Sequence, residues 1–215
     1  MRYLAPLILA AGLADGGPPP KSPDELRMWL PATVGDTLVF EETRPTADGT
    51  TTRLITRTVL SVDRKGDSAL VSIKEEKPPL ETGIVRRAEG LVTENYVYQQ
   101  TKAGVYLIMR DLEILDPPCC VGRLPLTAGD TWEVNNPAVF RAAIRYTTGT
   151  EEEVEVPAGN FKAVRIETKS VLRDATTIRG TDWVVAGMGV VKSRVRLPDG
   201  MEAVQVLKSY TPGKK

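Results

Sequence analysis

The stretch EEEVEVPAGNFKAVRIE, from Glu151 to Glu167, has the pattern of two strands joined by a tight turn. Val154 and Val156 alternate with glutamates such as Glu153, which places the valines on one face and the carboxylates on the other. Ala158-Gly159 supplies the turn between the two strands. One buried face and one wet face are typical of an antiparallel sheet.

The same alternation recurs in both directions along the chain, for example in ALVSI (69–73), AAIRY (142–146) and VVKSRVRL (190–197). Glycine turn signals separate these segments, and they lie at Asp48-Gly49, Lys65-Gly66, Gly149, Ala158-Gly159 and Asp199-Gly200. We therefore predict a mostly β protein of about a dozen strands, arranged as one curved or two packed antiparallel sheets, or as a half-barrel.

The N-terminal residues have the pattern of an export signal. Arg2 precedes eleven largely apolar residues, YLAPLILAAGL, and small residues suit cleavage after Ala14. Eleven residues are too few to span a bilayer, which needs about 20, and a short buried segment is the alternative. We predict a signal peptide at 1–14, a flexible linker at 15–21 and a β-rich domain at 22–215. No cysteine follows the apolar stretch for lipid attachment, so we expect a soluble periplasmic or secreted protein.

One short helix is predicted at the start of the mature domain. Ser22 can cap it, Pro23 suits its first position and Glu25 completes a capping box. Pro31 ends the helix after about two turns.

One phrase occurs twice. LPATVGDTLVF begins at Leu30 and LPLTAGDTWEV at Leu124, with six of eleven positions identical. ENYVYQQTKAGVYLI and GTDWVVAGMGVVKS are a weaker pair of echoes downstream. These echoes predict either an internal duplication, with halves 30–118 and 124–210, or repeated use of the same turn chemistry. On either interpretation the phrase begins a sheet unit and is not a catalytic motif.

The second half carries two linked motifs, V-P-A-G-x-F-x-A at 156–163 and W-x-x-x-G-x-G-x-V-K at 183–192. They resemble a family of uncharacterised exported bacterial β-proteins, a domain of unknown function in the neighbourhood of LolA-like lipoprotein carriers. The resemblance covers roughly 127–210 and implies a strongly curved antiparallel sheet with an apolar concave side. The chain departs from a lipoprotein in lacking the anchoring cysteine.

The composition argues against several chemistries. The chain has no histidine, which removes Ser-His-Asp and Cys-His catalysis and the commonest zinc ligands. Lys plus Arg equals Asp plus Glu at 28 each, with no basic run for nucleic acid. Glycine-rich AGMGVVK is predicted to be a hairpin turn because a strand follows it. We predict no catalytic set, metal or cofactor. The candidate acid–base carboxylates are expected on solvated strand faces, and they are Glu75-Glu76, Asp111 with Glu113, and Glu151 to Glu155.

Cys119-Cys120 is chemically unusual. In an exported protein two cysteines suggest a disulfide, but neighbouring Cα atoms lie about 3.8 Å apart, below the usual disulfide range. A strained vicinal disulfide and a pair of reduced thiols are the two leading expectations; redox activity, soft-metal binding and an intermolecular bridge stay open.

Five aromatic residues could form the wall of an apolar cleft, with plain core packing as the alternative: Tyr96, Tyr98, Tyr106, Trp132 and Trp183. The leading functional hypothesis is an exported binding or carrier domain for an apolar small molecule or lipid. The alternative is an envelope structural or protein-interaction module, and an enzyme ranks third.

Overall fold

The computed structural model of the chain describes residues 27–46, 49–79, 90–135, 143–172 and 176–214. Twelve strands account for most of them: β1 (Thr37–Thr46), β2 (Gly49–Lys65), β3 (Ser68–Lys77), β4 (Val92–Thr101), β5 (Gly104–Arg110), β6 (Glu113–Arg123), β7 (Thr131–Val134), β8 (Ala143–Val156), β9 (Gly159–Val171), β10 (Thr177–Val185), β11 (Gly189–Arg196) and β12 (Glu202–Thr211). This confirms the prediction of a mostly β chain with about a dozen strands.

All the strands form one antiparallel sheet in the order β6-β5-β4-β3-β2-β1-β12-β11-β10-β9-β8-β7. Each half of the chain therefore contributes six neighbouring strands, and the two sets are joined through β1 and β12, where Phe40 pairs with Leu207. The sheet curls until its two edges approach, and the Trp132 indole N–H of β7 donates to the Cys120 carbonyl of β6 at 3.1 Å. The result is a nearly closed, barrel-like sheet instead of two packed sheets.

The repeated phrase has the same backbone role in both halves. Gly35 N–H donates to the Val59 carbonyl, Val59 N–H donates to the Asp36 carbonyl, and both bonds are 2.9 Å long. The second copy repeats the exchange, with Gly129 N–H bound to the Thr148 carbonyl at 2.8 Å and Thr148 N–H bound to the Asp130 carbonyl at 2.9 Å. In each copy the partner residue borders a register shift in the next strand. The phrase thus sets the start of β1 and β7, and an internal duplication stays a prediction.

Two local expectations need correction. The predicted helix is not confirmed, because its start at 22–26 lies outside the described residues and residues 27–30 are not helical. Gly149 does not form a turn between strands; it lies inside β8 at a bulge between Thr148 and Glu151. A Cβ at Gly149 would approach Arg165 atoms to 3.1 Å, so the close contact between neighbouring strands explains the glycine.

Residues 27–31 lie across one end of the barrel-like sheet. The fully buried Gln100 side chain fixes them, accepting from Trp29 N–H at 2.9 Å and donating to the Arg27 carbonyl at 2.7 Å. Gly187 N–H, in the β10–β11 turn, donates to the Met28 carbonyl at 2.8 Å. Segment 27–31 therefore bridges two distant parts of the sheet.

Within the described ranges, no helix has the length and apolar character needed to cross a bilayer.

Candidate functional site

The sheet surrounds a partly open cavity of about 590 Å³. Much of its lining is aliphatic and comes from both halves of the chain, including Leu38, Val59, Val105, Leu107, Val184 and Val190. Leu30 and Pro31 of segment 27–31 line the same space. The volume lies within the range of about 300–1,000 Å³ that is usual for small-molecule sites.

A chain of alternating charges runs along one wall of this cavity, across β2 to β5. Arg57 Nε lies 2.7 Å from Glu75 Oε2, and Lys77 Nζ lies 2.9 Å from the other Glu75 oxygen. Lys77 also reaches Glu94 at 2.7 Å, and Arg110 reaches the second Glu94 oxygen at 3.1 Å. We call these five residues the charge ladder; all of them line the cavity.

The charge ladder holds its carboxylates ionised. Burial opposes ionisation of Glu75, but Arg57 and Lys77 outweigh it and lower the pKa of Glu75. Burial likewise opposes ionisation of Glu94, yet hydrogen bonds from Lys77, Tyr96 and Arg110 lower its pKa to about 2. Both glutamates are therefore fixed anions whose charge is already balanced by cations.

Arg57 is the cation of the charge ladder that packs against an aromatic ring. Its guanidinium carbon lies 4.7 Å from the centroid of the Phe40 ring, a cation–π geometry. The Arg57 side chain lines the cavity, and 31% of its surface is accessible to solvent. Since Nε binds Glu75, the donors of the two terminal amino groups are left over from this ion pair.

Asp182 lies on a different wall and has a different environment. Burial raises the pKa of its carboxyl group, against the opposing effects of a Ser193 hydrogen bond and the Arg57 charge. Tyr146 lines the cavity as well. The pKa of its hydroxyl group is raised, and burial is the main cause. The cavity therefore contains a carboxyl group and a phenol besides the charge ladder.

The five aromatic residues proposed from the sequence divide into two groups. Tyr96 and Tyr98 line the cavity, with ring centroids 6.2 Å apart. Tyr106, Trp132 and Trp183 lie outside the lining. Trp132 stacks on Tyr146 at 4.9 Å within the core, and Trp183 donates its indole N–H to Glu152 at 2.5 Å.

Glu75 contradicts the expectation of a solvated face, since it is only 5% exposed. The sequence did contain the signal: Glu75 continues the period-two phase of Val71 and Ile73, which are buried. Its neighbour Glu76 has the opposite phase and pairs with Lys74 at 3.0 Å on a half-exposed surface. A charged residue in phase with a buried series was the clue to the charge ladder.

The other carboxylate candidates lie as expected or take structural roles. Asp111 and Glu113 are exposed, as are Glu151, Glu153 and Glu155. Across the described part of the chain, no group of three or more metal-ligating side chains comes together.

Cys119 and Cys120 lie in β6, next to the cavity-lining Val121. Cys119 is buried, and the Cys120 sulfur lies 3.6 Å from the Gly122 carbonyl oxygen. Burial raises the pKa of the Cys120 thiol, against smaller opposing effects of that carbonyl contact and of Arg123. The vicinal disulfide stays a prediction.

No family model matches the chain, and no curated protein sequence matches it. Two solved structures resemble the fold. One is a Bacteroides fragilis protein assigned as exported and as having a YmcC-like fold; it is 14% identical with a TM-score of 0.60, over 86% of this chain and 99% of that one. The other, assigned as a lipoprotein of Parabacteroides distasonis, is 12% identical with a TM-score of 0.54, over 87% and 100% of the two chains. At these identities the likeness establishes a shared fold.

Proposed function

We propose that the protein is an exported binding or carrier domain that holds an apolar or lipid-like molecule inside the barrel-like sheet. The cavity of about 590 Å³ carries this proposal, because aliphatic side chains from both halves of the chain line it. Transfer of apolar ligand surface from water into this space contributes about 25 cal/mol per Å² before the costs of association are subtracted.

Export is part of the same proposal. The sequence supports it through the signal-like residues 1–14, and the two proteins with the same fold are assigned as exported and as a lipoprotein. The N-terminal sequence of the mature protein from its native host tests this, with cleavage after Ala14 as the expected result. A chain that keeps Met1 and stays inside the cell contradicts it.

Binding is tested with N-phenyl-1-naphthylamine, a fluorophore that brightens in apolar surroundings. Val121 is half-buried and lines the cavity, so Val121→Trp should narrow the cavity and reduce the fluorescence gain. Leu112 is 97% exposed in the β5–β6 turn, and Leu112→Trp is the control that should bind like the wild type. Equal binding by all three folded proteins would place the fluorophore elsewhere and contradict the proposal.

The alternative is an envelope module that docks a partner protein. It is favoured by two apolar side chains that protrude from one hairpin, Leu112 at 97% and Ile114 at 77% exposure. Failure of the cavity to bind the fluorophore, combined with partner binding that the double variant Leu112→Ser with Ile114→Ser loses, would favour this function.

A further inference from the structure

We propose that the cavity ligand is a single-chain amphiphile with an anionic head group, and that the head group binds Arg57 while the apolar chain lies along the aliphatic lining. This inference rests on the proposed function and names its ligand class. It is carried by the arrangement of charge inside the cavity.

The first step is the balance of charge on the cavity wall. The charge ladder has three cations, Arg57, Lys77 and Arg110, and two carboxylates, Glu75 and Glu94. The ladder alone therefore carries one surplus positive charge. Since Arg57 and Lys77 are only 31% and 18% exposed, a surplus charge here is partly withdrawn from water, and the wall is complementary to an anion.

The third cavity carboxyl, Asp182, lies outside the charge ladder. It hydrogen-bonds Ser193 and forms no ion pair within the described residues. Burial raises the pKa of its carboxyl group, and the Ser193 hydrogen bond and the Arg57 charge oppose that rise. The cations of the charge ladder therefore outnumber the carboxylates that pair with them.

The second step is the position of Arg57. Glu75 occupies Nε, whereas the side chain as a whole lines the cavity and 31% of it is accessible. The planar guanidinium presents donors in a fork that matches a carboxylate or phosphate. The guanidinium carbon packs over the Phe40 ring, which supports the guanidinium from one side.

The third step is the separation of polar and apolar walls. Arg57 on β2 pairs with Leu38 on β1. Val59 lies two residues further along β2, on the same face as Arg57, and lines the cavity too. Beyond them the lining continues through Val105 and Val190 toward segment 27–31. A head group at Arg57 therefore places its attached chain directly against aliphatic side chains. The cavity volume suits one chain of a drug-sized molecule.

The test compares ligands that share a sixteen-carbon chain and differ in the head group: hexadecanoate, hexadecanol and lysophosphatidate with a hexadecanoyl chain. Each competes with N-phenyl-1-naphthylamine for the full-length mature protein. We expect the anionic ligands to bind about tenfold to a hundredfold tighter than hexadecanol, from the usual strength of charge-assisted hydrogen bonds. The tighter of the two anions identifies a carboxylate or a phosphate head group.

The assigned role of Arg57 is tested with Arg57→Met, which should bring the affinity for hexadecanoate down to that for hexadecanol. Arg57→Lys keeps the charge without the fork, and we expect it to retain part of the preference. Arg53→Met is the matched control, since Arg53 lies on the same strand, binds Glu42 and the Pro78 carbonyl, and lies outside the cavity lining. Circular dichroism establishes that each variant is folded.

The outcomes separate the two proposals. If hexadecanol and hexadecanoate bind the wild type equally, the anionic head group is wrong while the apolar cavity site stands. If no ligand displaces the fluorophore from the cavity, the proposed function itself fails. An anion preference that survives in folded Arg57→Met protein would overturn the role of Arg57.

Discussion

Glu75 offers the sharpest test of the charge ladder, through the substitution Glu75→Gln. The amide has nearly the same shape as the carboxylate but no charge. Lys77 keeps Glu94 as a partner at 2.7 Å, whereas Arg57 loses the carboxylate at 2.7 Å that balances it. The variant therefore isolates one buried cation without opening a void in the core.

The expected cost follows from the burial of the pair. Breaking a buried ion pair by removing one partner costs about 3–5 kcal/mol. We expect the lower end, about 3 kcal/mol, because the cavity leaves 31% of Arg57 accessible to water. For a chain of 215 residues this corresponds to a fall in Tm of about 6–12 °C.

The assay is thermal unfolding followed by circular dichroism, with Glu76→Gln as the control. Glu76 is the next residue, points to the other face and has a half-exposed partner, so its loss should cost below about 0.5 kcal/mol. Replacement of both partners, as Arg57→Met with Glu75→Leu, should recover most of the lost stability. A fall in Tm for Glu75→Gln no larger than that for Glu76→Gln would show that the Arg57–Glu75 ion pair does not stabilise the fold.

Three further outcomes are expected. Asp36 is 2% exposed and accepts hydrogen bonds from Thr33 N–H, the Tyr210 hydroxyl and Gly213 N–H. Asp36→Ala should therefore lower the free energy of unfolding, measured in urea, by about 3 kcal/mol. Asp130, the exposed counterpart in the second phrase, should tolerate alanine, and equal losses for the two variants would contradict this prediction. The pKa of Glu94 is lowered from 4.5 to about 2 in the folded protein, so its contribution to stability is complete above pH 4.5 and is lost as the pH falls toward 2. In an acid titration, Glu94→Gln should lack that part of the loss of stability. Identical stability profiles for the variant and the wild type would exclude this contribution. If Cys120 is a thiol, iodoacetamide should modify it more slowly in the native protein than in urea because its pKa is raised; a vicinal disulfide would instead block the reaction until reduction and lower the intact mass by two hydrogens.

The sequence predicts the strands because their signals are local. Val154 and Val156 alternate with glutamates, and glycines with positive φ, such as Gly66 and Gly159, lie at the hairpin turns. A one-residue slip in the pairing of the strands would move the buried side chains to the exposed face. Gly149 misleads because a glycine inside a bulge and a glycine in a turn have the same local sequence.

The site depends on contacts between strands that no local pattern reveals. Glu75, Glu94 and Arg110 become neighbours only when β3, β4 and β5 pair in one register. The phase of Glu75 with Val71 and Ile73 predicts that it points inward, but not which cations meet it. Closure of the sheet places Tyr146 in the cavity and leaves Trp183 outside the lining.

Native mass spectrometry of the protein, purified from its own host without detergent, shows whether the cavity holds a ligand. We expect a bound mass that leaves on denaturation, that is less abundant on folded Val121→Trp protein, and that belongs to an anionic single-chain amphiphile. Equal amounts of the bound mass on wild type and Val121→Trp would contradict binding inside the cavity. A bare wild-type chain that also fails to take up hexadecanoate would contradict the carrier function itself.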